Sequence, residues 1–303
     1  MTEGAEATPQ VSSSRSGGGG CKLAGMKKLL SIVALIAATV AITMGVMELS
    51  TARKVQAQDW AKARVEASPR HHEYVQLKHD GRTVNTLVVY PEVSNKAPVV
   101  VLIHEIFGQS DWAKEMADEL AAQGYIAVEP DLLSGFGPSG GGTEAFPAQD
   151  AVTQAVGKLD PAVVVADLNA AADYGKKLPA ANGKLYVAGF CWGGGKSFEF
   201  ATKRGDLSGA FVFYGTPPPA AAMANITAPV YGFYAGSDAR VSATVPQAKI
   251  DMAAAKKSYE AVIYDGAGHG FMRAGEQPDA TAPNKAARDA GFARMTAVLK
   301  SGK

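Results

Sequence analysis

Short apolar runs alternate with longer amphipathic stretches from about residue 73 to the end of the chain. The apolar runs have the length and composition of strands, several of them fully buried. They lie at 83–90, 98–103, 125–129, 184–190, 210–214, 230–234 and 259–264. The amphipathic stretches predict helices at 111–123, 161–178, 194–203, 245–257 and 284–299. Strands that alternate with helices in this way predict an α/β domain whose sheet is mainly parallel and carries helices on both faces.

The first 57 residues differ from the rest of the chain. Residues 1–25 are rich in Ser and Gly, which predicts disorder or an upstream segment included through a wrong start codon. Residues 26–57 begin with Met-Lys-Lys, continue with an uncharged apolar stretch at 29–47 and end with Val-Gln-Ala, which is the pattern of a signal peptide cleaved after Ala57. The sequence therefore predicts an exported, periplasmic protein. The alternative is a membrane anchor, because the apolar stretch is long enough to span a bilayer.

Charge and cysteine content narrow the classes of function. The 30 Lys and Arg residues nearly balance the 29 Asp and Glu residues, so the chain offers no broad basic surface for nucleic acid. Two cysteines cannot form a disulfide framework, and no Cys/His cluster has the spacing of a structural zinc site. Residues 58–303 suffice for one α/β domain, in which Cys191 would be the only thiol. Function is therefore expected to come from a local site.

Residues 189–193 read Gly-Phe-Cys-Trp-Gly and lie between a predicted strand and a predicted helix. This is the form of a nucleophile elbow, with Cys191 in place of the commoner serine. The glycines are needed because a side chain at either position would crowd the neighbouring strand or helix. The helix N-terminus would favour a thiolate at Cys191. The alternative is a buried structural cysteine beside a glycine-rich packing contact.

Two further residues complete a candidate triad. Asp238 follows the strand predicted at 230–234, and His269 lies further along the chain in a glycine-rich loop. Nucleophile, acid and histidine occur in this order in α/β-hydrolases. His269 would then activate Cys191, while Asp238 would orient the imidazole and stabilise its cation. Taken singly, Asp238 could be a turn residue and His269 a structural histidine.

The segment 104–108, His-Glu-Ile-Phe-Gly, directly follows the strand predicted at 98–103. In an α/β-hydrolase the second donor of the oxyanion hole lies at this position. The backbone N–H groups of Ile106 and Trp192 are therefore the candidates for the oxyanion hole. Glu105 is expected near the thiol, and the alternative is a solvated loop carboxylate. The Gly- and Pro-rich segment 133–142 has the composition of a mobile active-site rim.

Two other patterns are set aside. Gly195-Lys196-Ser197 resembles the end of a phosphate-binding loop, but that motif requires glycine where this chain has Phe190. His71, His72 and His79 lie close together in the sequence without a set of carboxylates, so a surface or packing role is expected for them rather than metal binding.

Together, these motifs resemble the dienelactone hydrolase family, whose members are also called carboxymethylenebutenolidases, over most of residues 73–300. The resemblance rests on segments 104–108, 189–194 and 268–271 together with Asp238. It implies a single-domain α/β-hydrolase fold with a triad of Cys191, His269 and Asp238.

The resemblance also implies roles for two residues outside the triad. Glu105 would hold the resting thiol and swing away when substrate binds, and Arg273 would match the family arginine that binds the substrate carboxylate. A second family arginine has no counterpart, because residues 130–180 contain no Arg. Lys158 is a weak substitute for it, since lysine cannot form a bidentate fork to a carboxylate.

The sequence therefore predicts an exported hydrolase of small lactones or esters that forms a thioester on Cys191. We expect it to need no metal or organic cofactor, to bind no nucleic acid and to act as a monomer. The alternatives are a general small carboxylesterase or thioesterase, and a non-catalytic binding module on the same fold. A redox-sensing thiol is disfavoured because residues 58–303 contain no second cysteine to resolve it.

Overall fold

A computed structural model describes residues 58–302, which form an eight-stranded sheet with helices on both faces. The strands are β1 (His72–His79), β2 (Arg82–Val89), β3 (Ala97–Ile103), β4 (Ile126–Pro130), β5 (Ala181–Phe190), β6 (Gly209–Phe213), β7 (Val230–Ala235) and β8 (Tyr259–Tyr264). Their order in the sheet is β1-β2-β4-β3-β5-β6-β7-β8. The pairs β1–β2 and β2–β4 are antiparallel, and the other five are parallel. The predicted fold class is confirmed, whereas the predictions for residues 1–57 lie outside the described residues.

The helices alternate with the strands along the chain. They are α1 (58–66), α2 (Asp111–Ala122), α3 (Gln149–Val156), α4 (Pro161–Lys177), α5 (Trp192–Ala201), α6 (Ala220–Met223), α7 (Ala239–Ser242), α8 (Val245–Ala254), α9 (Phe271–Ala274) and α10 (Ala282–Ser301). The five predicted helices are all present. The helices that were not predicted are short, so few turns reveal their periodicity. Within residues 58–302, no helix has both the length and the apolar character needed to cross a membrane.

The core consists of two apolar layers, one on each side of the sheet. Every residue of β3 is buried, because this strand lies inside the sheet and is covered on both faces. Val99, Val101 and Ile103 belong to the layer that contains side chains of α4 and α5. Val100 and Leu102 belong to the layer that contains side chains of α2 and α10. Each such buried side chain stabilises the fold by about 1.5–3 kcal/mol, which makes β3 a rigid support for the loop that follows it.

Two of the three histidines that the sequence places near β1 form hydrogen bonds with helix residues. His72 Nε2 lies 2.8 Å from an Asp118 oxygen on α2, and His79 Nε2 lies 2.7 Å from an Asp167 oxygen on α4. These contacts tie an edge strand to both layers. They agree with the expected packing role.

The parallel strands bring the candidate residues to one edge of the sheet. His104 follows β3, Cys191 follows β5, Asp238 follows β7 and His269 lies in the loop after β8. In open α/β sheets, ligands bind at the carboxyl ends of the strands. The fold thus places the candidate site where this topology forms binding clefts.

Candidate active site

Cys191 occupies a strained turn between β5 and α5. Its φ of 56° and ψ of −117° lie outside the regions that a residue with a side chain normally adopts. A Cβ added at Gly189 would lie 2.0 Å from the Gly193 carbonyl oxygen, and one added at Gly193 would lie 2.4 Å from the Ile103 carbonyl oxygen. Both glycines are therefore required for the elbow to pack against β3 and α5.

His269 joins Cys191 to Asp238. Its Nδ1 lies 2.5 Å from Asp238 Oδ2, and its Nε2 lies 3.1 Å from Cys191 Sγ. Because a carboxylate only accepts hydrogen bonds, Nδ1 carries the proton and the neutral ring presents the lone pair of Nε2 to the thiol. The structure thus brings together the three residues of the predicted triad.

Asp238 remains ionised although only 7% of its side chain is exposed. Burial on its own would raise its pKa, but the hydrogen bonds from His269 and from the Val241 backbone N–H outweigh that effect. The pKa of Asp238 consequently lies below its usual value. A charged, fixed carboxylate can orient the imidazole of His269 and stabilise the imidazolium ion.

The resting thiol of Cys191 is held in its neutral form. Burial, followed by the negative charge of Glu105, raises the pKa of the Cys191 thiol above its usual value. The backbone N–H groups of Trp192 and Ile106 donate to the sulfur and act in the opposite direction, as does the charge of Arg240. The thiolate expected from the helix N-terminus alone is therefore not favoured at rest. Both candidate oxyanion donors nevertheless favour the ionised form of the thiol.

Glu105 is 2% exposed and lies beside the thiol, but it bonds other partners. Its Oε2 accepts a 2.7 Å hydrogen bond from Arg273 Nε, and its Oε1 accepts one of 3.4 Å from the Tyr214 hydroxyl. The resemblance placed Glu105 on the resting thiol. In the structure, the thiol contacts His269 instead, and Glu105 acts on it through its charge.

Arg273 is fixed between Glu105 and an aromatic ring. Its guanidinium carbon lies 4.9 Å from the centre of the Phe107 ring, and 21% of its side chain is exposed. A substrate carboxylate would therefore have to compete with Glu105 for this cation. The role of Arg273 in binding substrate stays a prediction.

A cavity of about 370 Å³ lies beside Cys191, which is a size suited to small molecules. One wall is formed by Pro217–Pro219 and another by Lys196 and Glu199, whose charged groups pair at 2.8 Å. Lys158, the substitute suggested for the missing arginine, is exposed and does not line this cavity.

Sequence reasoning missed three residues of this site. Tyr214 directly follows β6 at the active edge of the sheet, which was the signal available for it. Lys196 was considered only as part of a phosphate-binding motif, although its position on the first turn of α5 places it near the elbow. Arg240 lies two residues after Asp238, and its charge lowers the pKa of both Asp238 and the thiol of Cys191.

The chain is similar in sequence to proteins of one known family. The sequence profile of the dienelactone hydrolase family matches residues 84–302. A carboxymethylenebutenolidase of Pseudomonas putida is 32% identical over 201 residues, which cover 64% of this chain and 83% of that protein. Among the curated relatives, the matched segment spans from 65% to 86% of the relative's own length.

Solved structures share the fold. The dienelactone hydrolase of Anabaena variabilis superposes with a TM-score of 0.56 at 20% identity, covering 75% of this chain and 97% of that one. A dienelactone hydrolase-like promiscuous phosphotriesterase from metagenomic libraries superposes with a TM-score of 0.64 at 23% identity, covering 77% and 98%. Since the family profile covers most of the described residues, the chain belongs to the dienelactone hydrolase family of α/β-hydrolases and is a hydrolase that acts on ester bonds.

Proposed function

We propose that the protein hydrolyses small esters or lactones by transferring their acyl group to Cys191. One observation carries this proposal, the contact of Cys191 Sγ with His269 Nε2 at 3.1 Å while His269 Nδ1 lies 2.5 Å from Asp238. The arrangement supplies a nucleophile, a base and a group that orients the base. The backbone donors at the sulfur support it further, because a substrate oxyanion forming there would lie within their reach.

The reaction proceeds in two halves. His269 takes the thiol proton, the sulfur of Cys191 bonds to the substrate carbonyl carbon, and the N–H groups of Ile106 and Trp192 hold the oxyanion. The carbon–oxygen ester bond then breaks, and the leaving alkoxide takes the proton from His269. Next, His269 removes a proton from water, and the resulting hydroxide attacks the thioester. The acid product leaves as its bond to sulfur breaks, and the proton returns to the thiol.

On this proposal, an anionic substrate activates the thiol of Cys191 by displacing Glu105 from Arg273. Its negative charge raises the pKa of Cys191 while it is bonded to Arg273. A substrate carboxylate that binds Arg273 would displace Glu105, and the barrier to forming the thiolate would fall if the displaced charge moves away from the sulfur or takes up its proton. On this proposal, thiolate formation is coupled to occupancy of the cleft. A neutral ester would lack this coupling and would react through His269 alone.

Hydrolysis assays with matched substrates test the proposal. Wild-type protein and Cys191→Ala are compared on a carboxylate-bearing dienelactone and on a neutral aryl ester of similar size. We expect wild type alone to hydrolyse the dienelactone, and to do so faster than the neutral ester. Turnover of the neutral ester alone would remove the role of Arg273 and favour a general carboxylesterase or thioesterase. Equal activity of Cys191→Ala would remove Cys191 as the nucleophile, whereas no turnover at all would favour a non-catalytic binding module.

We also propose that the mature protein is exported after cleavage behind Ala57 and acts as a monomer. Ala61 is fully buried, and cleavage behind Ala57 would leave it in the mature chain. The triad belongs to a single chain, which supports activity without a partner subunit. N-terminal sequencing of protein from the periplasmic fraction should begin with Gln-Asp-Trp. An intact N-terminus in the membrane fraction would identify an anchor instead. Sedimentation of the active protein tests the monomer.

A further inference from the structure

His104 lies between the two halves of the candidate oxyanion hole and has no role in the reaction described above. Its ring is completely buried at the end of β3. Its Nδ1 lies 2.7 Å from the backbone carbonyl oxygen of Glu105. Because a carbonyl only accepts, Nδ1 must carry the hydrogen, and Nε2 is left with a lone pair that has no hydrogen-bond partner among the described residues.

The carbonyl that His104 holds belongs to the same peptide unit as one oxyanion donor. The C=O of Glu105 and the N–H of Ile106 share one planar trans peptide, in which they point in opposite directions. Fixing the oxygen therefore fixes the direction of the N–H group. That N–H is a candidate oxyanion donor and favours the ionised form of Cys191, so the hydrogen bond from His104 sets the direction of a donor on the other side of the peptide bond.

The same ring also contacts the residue that supplies the second donor. The imidazole of His104 stacks on the Trp192 ring, with ring centres 5.7 Å apart and planes inclined by 14°. Backbone packing reinforces the contact, since a Cβ added at Gly193 would lie 2.3 Å from the His104 carbonyl oxygen. The side chain of His104 thus contacts both segments that supply the candidate donors, the loop after β3 and the start of α5.

His104 is unsuited to acid–base catalysis. Burial lowers its pKa below the usual value for histidine, so the ring stays neutral. Its single N–H is already engaged with the carbonyl of Glu105, and the thiol is in contact with His269. A residue so placed can hold other groups in position but cannot shuttle protons during the reaction.

We infer that His104 is a positioning residue of the oxyanion hole, which orients the Ile106 donor through its hydrogen bond to Glu105 O and braces the Trp192 donor through ring stacking. The inference rests on the proposed reaction at Cys191. Its physical consequence is wider, however, because the same two N–H groups stabilise the free thiolate. Loosening them should therefore change the thiol even when no substrate is present.

Two substitutions separate the hydrogen bond from the stacking. His104→Phe keeps an aromatic ring against Trp192 but removes the donor, and the unpaired Nε2 means that no other hydrogen bond is lost. His104→Asn keeps a donor at the position of Nδ1, because its amide nitrogen is the same number of bonds from Cα, but it removes the stacking ring. His79→Phe is the matched control, since it also deletes a histidine hydrogen bond but lies on β1 at the edge of the sheet.

The full-length variants are compared by steady-state ester hydrolysis and by the pH dependence of alkylation, followed on the Cys191 peptide by mass spectrometry. Deleting an oxyanion donor costs about 10²–10³-fold in kcat, so misaligning one in His104→Phe should cost at least about 10-fold with little change in KM. The thiol pKa should also rise in His104→Phe. His104→Asn should recover most of both effects, and His79→Phe should show neither.

Three results would overturn the inference. They are an unchanged thiol pKa in a folded His104→Phe variant, equal losses in His104→Phe and His104→Asn, and an equal loss in His79→Phe. If His104→Phe fails to fold, the comparison of His104→Asn with wild type decides, because retained kcat and thiol pKa are expected there. If wild type hydrolyses no ester, the proposed reaction fails, and the alkylation measurements still test whether His104 aims the donors.

Discussion

Two of the partly buried groups of carboxylates and arginines differ in their surroundings, and one of them lies beside the proposed nucleophile. The first contains Glu105 and Arg273 beside Cys191. The second, here called the distal cluster, joins α1, α2 and α10 to the turn after α9. Its members are Arg64, Glu115, Glu119, Glu276 and Arg288.

Two carboxyl groups of the distal cluster have raised pKa values. Burial, followed by the charges of Glu119 and Glu276, raises the pKa of Glu115 to about 9. Burial and the charge of Glu276 raise the pKa of Glu119 to about 7. Arg64 lies 2.9 Å from oxygens of both Glu115 and Glu276, and Arg288 pairs with Glu276 at 3.0 Å.

Neither a perturbed pKa nor the size of a cavity distinguishes the candidate active site from the distal cluster. A cavity of about 770 Å³ lies over the distal cluster, compared with about 370 Å³ beside Cys191. The distinguishing features of the candidate active site are a cysteine with a strained backbone, a histidine in contact with it and backbone N–H groups that favour its ionised form. Perturbed pKa values occur in structural ion networks as well, so they identify a functional site only together with such geometry.

The largest expected contrast comes from removing the base. His269→Gln should lower kcat/KM by about 10³–10⁴-fold, because the thiol loses the group that accepts its proton. The midpoint of thermal unfolding should hardly change, since about a third of the His269 side chain is exposed. The corresponding change in the distal cluster, Glu276→Gln, should leave kcat/KM unaltered. A large loss of activity in Glu276→Gln would mean that the two clusters are not functionally separate.

For stability, we expect the larger loss from a substitution in the distal cluster, with activity unchanged. Arg288→Met removes the partner of Glu119 and leaves Glu276 with Arg64 alone, and weakening these partly buried pairs should reduce the free energy of unfolding by about 2–3 kcal/mol. Urea titration measures the loss, while kcat per folded molecule should stay constant. Lys285→Met on the same helix is the control. It breaks an exposed pair with Asp289 and should cost less than about 0.5 kcal/mol.

The sequence predicted the fold well because long periodic segments determine it. All seven predicted strands and five predicted helices are present, and the triad emerged because parallel strands must end at one edge of the sheet. The short helices α6, α7 and α9 were missed because each contains barely one turn. A single turn leaves no periodic pattern in the sequence.

The sequence could not predict which groups pair within the site. Glu105 was expected on the thiol, but the hydrogen bonds from Arg273 and Tyr214 hold its carboxylate. That choice depends on three loops brought together by the sheet, and spacing along the chain carries no information about it. Arg64 and Glu276 of the distal cluster are 212 residues apart for the same reason.

The distal cluster should make stability depend on pH. The pKa of Glu115 is higher in the folded than in the unfolded state, so its contribution is full below about pH 4.5 and is lost as pH rises towards about 9. Glu115→Gln cannot titrate. The stability of wild type relative to Glu115→Gln should therefore fall as pH rises from 5 to 9, as measured by urea unfolding at both pH values. A difference that stays constant or grows would refute the assigned direction.

In the active site, removing a carboxylate charge should act on the thiol. Glu105→Gln removes the negative charge that raises the Cys191 pKa, so the pH dependence of alkylation should move down by about one unit. Glu115→Gln serves as the control that removes a carboxyl group from the distal cluster, and it should leave the alkylation profile in place. An upward shift in Glu105→Gln would show that the carboxylate assists ionisation of the thiol in the resting enzyme.

The smallest effect is expected at the rim of the site. Arg240 is exposed, and its positive charge lowers the pKa of Cys191 less than any of the other named influences on the thiol. Arg240→Gln should raise the thiol pKa by a few tenths of a unit, about 0.3 kcal/mol, because water screens the charge of an exposed side chain.

The shift caused by Arg240→Gln should shrink further in 1 M salt, where the screening length falls to about 3 Å. The effect of Glu105→Gln should persist in the same salt, since buried charges are screened much less. If both shifts disappear together, Glu105 is as accessible to solvent ions as Arg240, and the contrast between a buried and an exposed charge at this thiol fails.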